Sequence, residues 1–487
     1  MRFALRDFLV LGALVSLAVT ALGCKTTSAV AAPASVDMAT EDADAVVSAT
    51  DATAASDTAP SSSDTASAEL AGVDTAGDPC SGAVANWHSD PKKLVRNLHQ
   101  TWQHDPATTM TVTWTTEVTD LTKYVPRVVA ATVATGCKLG QALLSKGVTT
   151  TGKGSLYAAI VGSDEVKVVA WTVELTDLQP DTDYVFRAGS YATLDAVTGI
   201  PTAAELSDVA HFRTAPAKGD RKPMPFVVAG DSRGGAAKIK ANSKMYTALP
   251  ALAWFFSGDM NPTGVQEEWN DWFDAMALIL NDHPLMPVQG NHEIFAEIYY
   301  NQFALPAMPG IASAYVEHGW SVNVGNVHFV GLDSGSEEAC IDQTPWLTGD
   351  LKKAQADPDI DWTLVQFHHG TYSASLHGST TYVQKQWVPL FEKYGVDLVL
   401  NGHDHNYERS VPILADKPTT QDKGITYVVA GGFFAPAYAN GKQWWTAVSH
   451  HGDKNNFVQL LVDGKKLKLT ALSGDGKTEL DKFELTR

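Results

Sequence analysis

Apolar and polar residues alternate along Met110-Thr111-Val112-Thr113-Trp114-Thr115, the period-two pattern of a half-buried β-strand. Trp171 to Leu175 and Tyr184 to Ala188 repeat it. Between them, Leu178-Gln179-Pro180-Asp181-Thr182 supplies turn chemistry, because Pro presets φ and Asp bonds its own backbone. Residues 93–217 therefore predict an all-β unit, a β-sandwich. After Pro216 the pattern changes. Phe226–Ala229, Trp254–Phe256, Leu285–Val288, His328–Leu332, Thr363–Phe367 and Leu398–Leu400 are short apolar runs of buried-strand length. Helical spacing lies between several of them: Trp269, Trp272, Phe273, Met276 and Leu280 share one face, and so do Val383, Trp387, Leu390, Phe391 and Tyr394. Strands return at Thr426–Ala430, Phe457–Val462 and Leu467–Leu472. Residues 222–487 thus predict an α/β unit in four layers, two stacked mixed sheets flanked by helices, with ligands at the carboxyl ends of strands.

The first part of the chain lacks such patterning. Arg2 and Arg6 precede an apolar run from Phe8 to Leu22 that ends Ala21-Leu22-Gly23-Cys24. The run is short for a membrane span and has the flanks of a secretory signal. Small residues before a cysteine resemble a bacterial lipobox, with Ala21 where Leu is usual. Residues 1–24 are therefore expected to be a lipoprotein-type signal peptide with an acyl chain on Cys24. The alternative is an ordinary signal cut near Ala29 to Ala32, which discards Cys24. Residues 25–92, rich in Ala, Ser, Thr and Asp, hold too little apolar surface to offset chain entropy and are expected to be a disordered tether.

The chain has 487 residues, 44% of them hydrophobic, and a formal net charge of −19. Much of that charge lies in the tether, where ten acidic residues between Asp37 and Asp78 face only Lys25. The acidic balance argues against a nucleic-acid partner. Beyond Cys24 the cysteines are Cys80, Cys137 and Cys340. In an exported chain one disulfide is expected; Cys80 and Cys137 are the closer pair in sequence, which leaves Cys340 free.

The strand ends carry the chemistry. Gly230-Asp231, Gly258-Asp259, Gly290-Asn291-His292-Glu293, His368-His369 and Gly402-His403-Asp404-His405 each end an apolar run. Asp, Asn and His bind borderline divalent and trivalent cations through oxygen and imidazole nitrogen. An isolated Gly-Asp is usually a turn, and a lone Asn-His is usually a loop hydrogen bond. Five blocks in this order point instead to a two-metal hydrolase.

The ordered set resembles the signature of the calcineurin-like metallophosphoesterases. Within that superfamily the chain looks most like the purple acid phosphatase branch. The strand pair around Leu178 to Ala188, followed by Phe212-Arg213-Thr214-Ala215-Pro216, looks like that branch's N-terminal domain and its exit. The run from Gly402 to Arg409 matches its closing block, and His368, Tyr372 and His377 have the spacing of its fifth block. The resemblance implies a fibronectin type III-like domain before the metallophosphoesterase domain. It implies that Asp259 bridges two metal ions (iron, zinc or manganese), that Asp231 and His405 complete the first site, and that Asn291, His368 and His403 complete the second. It gives His292 a contact to the substrate phosphate and makes His377 a candidate acid for the leaving alcohol. His369 is an alternative to His368 as ligand. Glu293, Glu408 and Arg409 read as supporting residues.

Two positions depart from the family pattern. Pro262 stands where purple acid phosphatases carry an iron-ligating tyrosine, and Arg233 stands where other members carry a histidine. The first site is thus short of one ligand, with Asn261 or water as the substitute. Arg233 either meets the substrate phosphate or pairs with a carboxylate. The expected activity is hydrolysis of a phosphate monoester, a small-molecule substrate, by metal-activated water. Phosphodiester cleavage at the same site is one alternative; a surface-anchored binding protein with a degenerate hydrolase domain is another. Membrane contact is expected only through Cys24. Substrate choice is assigned to the loops Asp231 to Asn242, Phe295 to Ser321 and Ser336 to Pro345.

Overall fold

The computed structural model describes residues 95–117, 124–133, 148–161, 164–191, 207–293, 297–311, 317–335, 342–450 and 455–487. The expected signal, tether and Cys80–Cys137 disulfide, and all four cysteines, lie outside the described residues. Among those residues, no helix is long and apolar enough to cross a membrane.

Two antiparallel four-stranded sheets come first. One has the spatial order Arg96–Thr101, Met110–Glu117, Asp164–Leu175, Lys153–Val161; the other runs Val148–Thr151, Val125–Thr132, Asp183–Tyr191, Ala210–Arg213. Trp114 faces Trp171 in register, and with Val128, Phe186, Ala188 and Phe212 these residues form the apolar filling between the sheets. The structure corrects one expectation here. Met110–Glu117 is not half-buried: both faces are covered from Met110 to Thr116. Its sheet leans on the following unit. In the neighbouring strand, His99 stacks on Phe273 at 4.8 Å and its Nε2 lies 2.8 Å from the Gln302 carbonyl. Thr101 Oγ1 donates to the Ala304 carbonyl at 2.7 Å, and Asn97 Nδ2 to Asn270 Oδ1 at 2.9 Å. The threonines of Met110–Glu117, whose alternation predicts a solvent-facing side, are buried as well.

The second unit stacks two mixed sheets. The six-stranded sheet has the order Leu285–Pro287, Trp254–Phe256, Met224–Ala229, Asn456–Asp463, Lys466–Ser473, Glu479–Thr486. The seven-stranded sheet has the order Trp320–Val324, Val327–Gly331, Trp362–Phe367, Leu398–Asn401, Thr426–Ala430, Tyr407–Ser410, Thr446–His450. Aromatic rings join them: Phe226 and Phe255 of the first lie 5.0 and 4.4 Å from Phe329 of the second. Helices cover both outer faces. Tyr246 of Ala236–Thr247 meets Trp254, and Trp272 of Gln266–Leu280 meets Phe256. On the far side Trp387 and Phe391 cover Phe367.

The helical periodicity from Val383 to Tyr394 belongs to two helices, Thr381–Gln386 and Val388–Tyr394. Pro389 divides them: it lacks the N–H that a continuing helix would donate, and its ring crowds the preceding turn. Val388–Tyr394 then closes on Gly395, whose φ of 72° is the left-handed cap that glycine favours. The segment Asp231 to Asn242, read as a loop, enters the helix Ala236–Thr247, and Thr344–Ala356 is a second helix that pattern reading missed. Each buries only three side chains, Ile239, Ser243 and Tyr246 in the first and Leu347, Leu351 and Ala354 in the second. Such narrow stripes leave little periodicity to detect.

Candidate metal centre

The parallel strands Met224–Ala229, Trp254–Phe256 and Leu285–Pro287 end at one edge of their sheet, and Trp362–Phe367 and Leu398–Asn401 end beside them in the other. The five blocks follow these ends, so the stacking of the sheets brings them together. The backbone there is unusual. Asp231, Asp259 and His403 have φ of 60°, 54° and 71°, a left-handed conformation that non-glycine residues adopt only when their surroundings enforce it. The block glycines are needed for close approach: a side chain at Gly290 would run into Asp259 Oδ1, and one at Gly402 into Asp231 Oδ2.

Two clusters result. In one, ligand atoms of Asp259, His368 and His403 all lie within 4.8 Å of each other; in the other, those of Asp231, Asp259 and His405 do. Asp259 belongs to both. Asn291 Oδ1 joins the first, 2.9 Å from His368 Nε2 and 3.0 Å from His403 Nδ1. All six residues expected as ligands are therefore brought together. His369 is in neither cluster; its Nδ1 lies 2.7 Å from Ser334 Oγ. Two imidazoles are oriented from behind. His368 Nδ1 is 2.7 Å from the Ser257 carbonyl, and His405 Nδ1 is 2.5 Å from the Pro436 carbonyl. Each carbonyl accepts the Nδ1 proton, which leaves the Nε2 lone pair facing the centre. The backbone N–H of His403 donates to both Asp231 oxygens at 3.0 Å, and that of His292 to Asp259 Oδ1 at 2.9 Å.

The electrostatics fit cations. Burial pushes the Asp231 carboxyl well up, and the neighbouring Asp259 adds to this against the pull of His368. Burial also pushes Asp259 up, but His368 and His292 outweigh it and hold that carboxyl below its usual range. Burial lowers His368, yet Asp259 and Asp231 raise it to about 10. A proton on His368 thus offsets carboxylate charge that a metal ion would offset more fully. Burial lowers His405 to about 4, and burial with the adjacent His368 holds His403 far below its usual value. His403 and His405 thus offer free lone pairs, and a borderline cation bound at the centre would displace the proton from His368.

The remaining sequence-read residues surround this centre. His292 Nε2 is 3.9 Å from Asp259 Oδ2, and its Nδ1 lies 2.5 Å from the Pro262 carbonyl. Pro262 supplies no ligand side chain; its backbone instead aims the ring of His292. Arg233 Nη1 contacts His292 Nε2, while its Nη2 is 3.3 Å from His405 Nε2. Its Nε is 4.0 Å from Asp259 Oδ2. His377 lies over His403 with ring centroids 4.0 Å apart, and its Nδ1 is 3.0 Å from Asp404 Oδ1. Asn261 is buried with its Nδ2 unpartnered. Glu408 accepts from the Ala374 backbone and the Thr446 hydroxyl. Arg409 pairs with Asp481 at 2.5 Å, away from the centre.

Three contributors were not assigned specific roles from sequence. Glu293 accepts backbone N–H groups from Asp259, Met260 and Gly290 at 2.8–2.9 Å, tying two ligand loops together. Asp404, the middle residue of the Gly-His-Asp-His block, also accepts from the His377 backbone and the Ser373 hydroxyl. Its acidity in an otherwise unspecified position was the available signal. Tyr438 packs flat on His405 at 4.0 Å and receives a 2.9 Å hydrogen bond from Arg233 Nη2. It lies in a loop far from the blocks, and nothing local in the sequence marks it.

Comparison with known proteins agrees with this geometry. The family model for calcineurin-like phosphoesterases matches residues 224–407, and that for the purple acid phosphatase N-terminal domain matches residues 95–214. An uncharacterized protein of Mycobacterium tuberculosis is 28% identical over 365 residues, which cover 66% of this chain and 63% of that protein. The chain thus spans just under two thirds of that relative's length. Purple acid phosphatase 15 of Arabidopsis thaliana is 27% identical, with 49% of each chain covered. Tartrate-resistant acid phosphatase type 5 of Rattus norvegicus is 27% identical over 46% of this chain and 74% of its own. Among solved structures, a purple acid phosphatase from yellow lupin seeds shares the fold at a TM-score of 0.63 and 19% identity, covering 81% of this chain and 75% of its own. Two family models matched in the order of the two units, on a shared fold, establish that the chain belongs to the calcineurin-like metallophosphoesterases, in their purple acid phosphatase-like branch.

Proposed function

We propose that this protein is an exported phosphatase that hydrolyses phosphate monoesters at a two-metal centre. The observation that carries this reading is Asp259, a buried carboxylate common to two ligand clusters. Iron, zinc or manganese ions held by Asp231, Asp259 and His405, and by Asp259, Asn291, His368 and His403, would supply Lewis-acid polarisation of the phosphoryl group and a water acidified to near neutrality.

The chain's own residues do the rest. Arg233 presents donors on one side of the centre, where they hold phosphoryl oxygens and stabilise charge that grows in the transition state. His292, whose Nδ1–H goes to the Pro262 carbonyl, accepts from Arg233 Nη1 through Nε2 and orients the guanidinium beside the phosphoryl group. A monoester is close to a dianion at neutral pH, and the permanently charged guanidinium suits it better than a diester monoanion. His377 lies on the His403 side. A proton on its Nε2 passes to the leaving oxygen, while Asp404 accepts from Nδ1–H and stabilises the charged ring. Burial raises Asp404, but its bonds to His377 and Ser373 hold it below the usual carboxylate range, so it stays an acceptor. Export and a lipid anchor at Cys24 rest on the apolar run and the small residues before Cys24.

The test is metal analysis of the purified protein together with turnover of p-nitrophenyl phosphate and bis(p-nitrophenyl) phosphate. Two ions per chain and preference for the monoester are expected. Preference for the diester would replace the reading with a phosphodiesterase. Little metal and no turnover would leave the surface-anchored binding protein.

A further inference from the structure

We propose that Arg233 makes the two metal positions unequal. The position bounded by Asp231, Asp259 and His405 fills weakly by itself and tightens when a phosphate dianion binds beside Arg233. This inference rests on the two-metal reading above and adds an order of events to it.

Among the described ligand residues, the guanidinium touches the shared Asp259 and one further ligand, His405, which belongs to a single position. Its Nη2 lies 3.3 Å from His405 Nε2 and its Nε 4.0 Å from Asp259 Oδ2. An arginine does not deprotonate in proteins, so a cation entering between those atoms meets a fixed like charge at close range. The other position has a fourth donor, Asn291, in place of this neighbour. Arg233 is also anchored. Its Nη2 donates to Tyr438 OH at 2.9 Å. Tyr438 in turn lies flat on His405, with the planes 13° apart, and its backbone N–H donates to the His405 carbonyl at 3.1 Å. Swinging the guanidinium away would break that bond.

Arg233 also has unused capacity. Its Nε is buried and has no hydrogen-bond partner. A phosphate dianion supplies an acceptor for that N–H and negative charge between guanidinium and cation. Repulsion then becomes attraction through a shared ligand. Linkage requires the effect to be reciprocal: whatever factor phosphate adds to binding of the cation at this position, the cation adds to binding of phosphate.

The probes are manganese(II) and inorganic phosphate, measured by equilibrium dialysis of the full chain. The wild type should show two binding steps at least tenfold apart, and phosphate should tighten the weaker step about tenfold or more. In Arg233→Ala the steps should draw together and the phosphate effect should shrink to severalfold or less. Arg233→Gln, which keeps a polar side chain with N–H donors and loses the charge, should behave alike and guards against a misfolded alanine variant. Two equal steps in the wild type, or an unchanged gap in both variants, would overturn the inference while leaving the two-metal reading intact. Retention of both ions by Asp259→Asn would overturn that reading and the inference with it.

Discussion

His211 stands where the sandwich meets the metallophosphoesterase domain, and its positive charge should contribute to holding them together. It lies on the strand Ala210–Arg213, with its Nδ1 2.7 Å from Asp282 at the end of the helix Gln266–Leu280 and its Nε2 3.3 Å from Asp183 of the sandwich. The second contact is an ion pair without hydrogen-bond alignment, since Nε2 has no hydrogen-bond partner. Arg213 also pairs with Asp183 at 2.7 Å, and His283 lies 3.4 Å from Asp282. Burial lowers the basicity of His211, but the two carboxylates raise it from 6.5 to about 9. A rise of about 2.5 units at ~1.4 kcal/mol each corresponds to roughly 3 kcal/mol of stability. Because the folded value lies above the unfolded one, that contribution is complete below about pH 6.5 and is lost as pH rises through about 9. Asp183 and Asp282 are raised by burial and lowered further by His211, to a net value below the usual range. Their share is present above the ordinary carboxylate range and is lost as pH falls through the depressed values. For a folded region of this size, 3 kcal/mol corresponds to roughly 4 °C in Tm. Thermal melts of the wild type and His211→Gln at fixed metal concentration should differ by about that much at pH 6 and converge by pH 10. An equal difference at both pH values would mean that packing, not charge, accounts for the loss, and would refute the reasoning.

Asp259→Asn should lose both metal ions and turnover together, since a neutral amide bridges two cations poorly; full metal content with near-normal turnover would show the ligand assignment to be wrong. His292→Ala should keep its metal and lose about 10²–10⁴-fold in kcat, whereas parallel loss of metal would make His292 a ligand. The protein should lack a tyrosinate-to-iron band, because Pro262 replaces the ligating tyrosine and Tyr438 is hydrogen-bonded to Arg233; a strong visible absorption from the purified protein would contradict this. Membrane fractionation should find the wild type anchored and Cys24→Ser soluble, each acyl methylene being worth ~0.8 kcal/mol; an N-terminus near Ala29 to Ala32 in the mature protein would exclude the lipid anchor.

The sequence by itself determined the class of chemistry and the framework that holds it. Short apolar runs of strand length, each ended by Asp, Asn or His, set both the α/β layering and the ligand types, because period and burial are written locally in the chain. Residues Asp231, Asp259, Asn291, His368, His403 and His405 were legible for that reason. What lay beyond local patterning was decided by the tertiary structure. Thr111 and Thr113 look solvent-facing, yet both are fully buried in the folded chain. Pro262 looks like the loss of a ligand, yet its carbonyl aims His292. Tyr438 carries no local mark, and Asp404 marks only its acidity; their partners, Arg233 and His405 for the one and His377 for the other, are fixed by loops that meet only after the two sheets stack. Hydrogen bonds and ring contacts depend on ångström-scale positions of groups distant in the chain, and a one-dimensional pattern of hydrophobicity does not encode those distances.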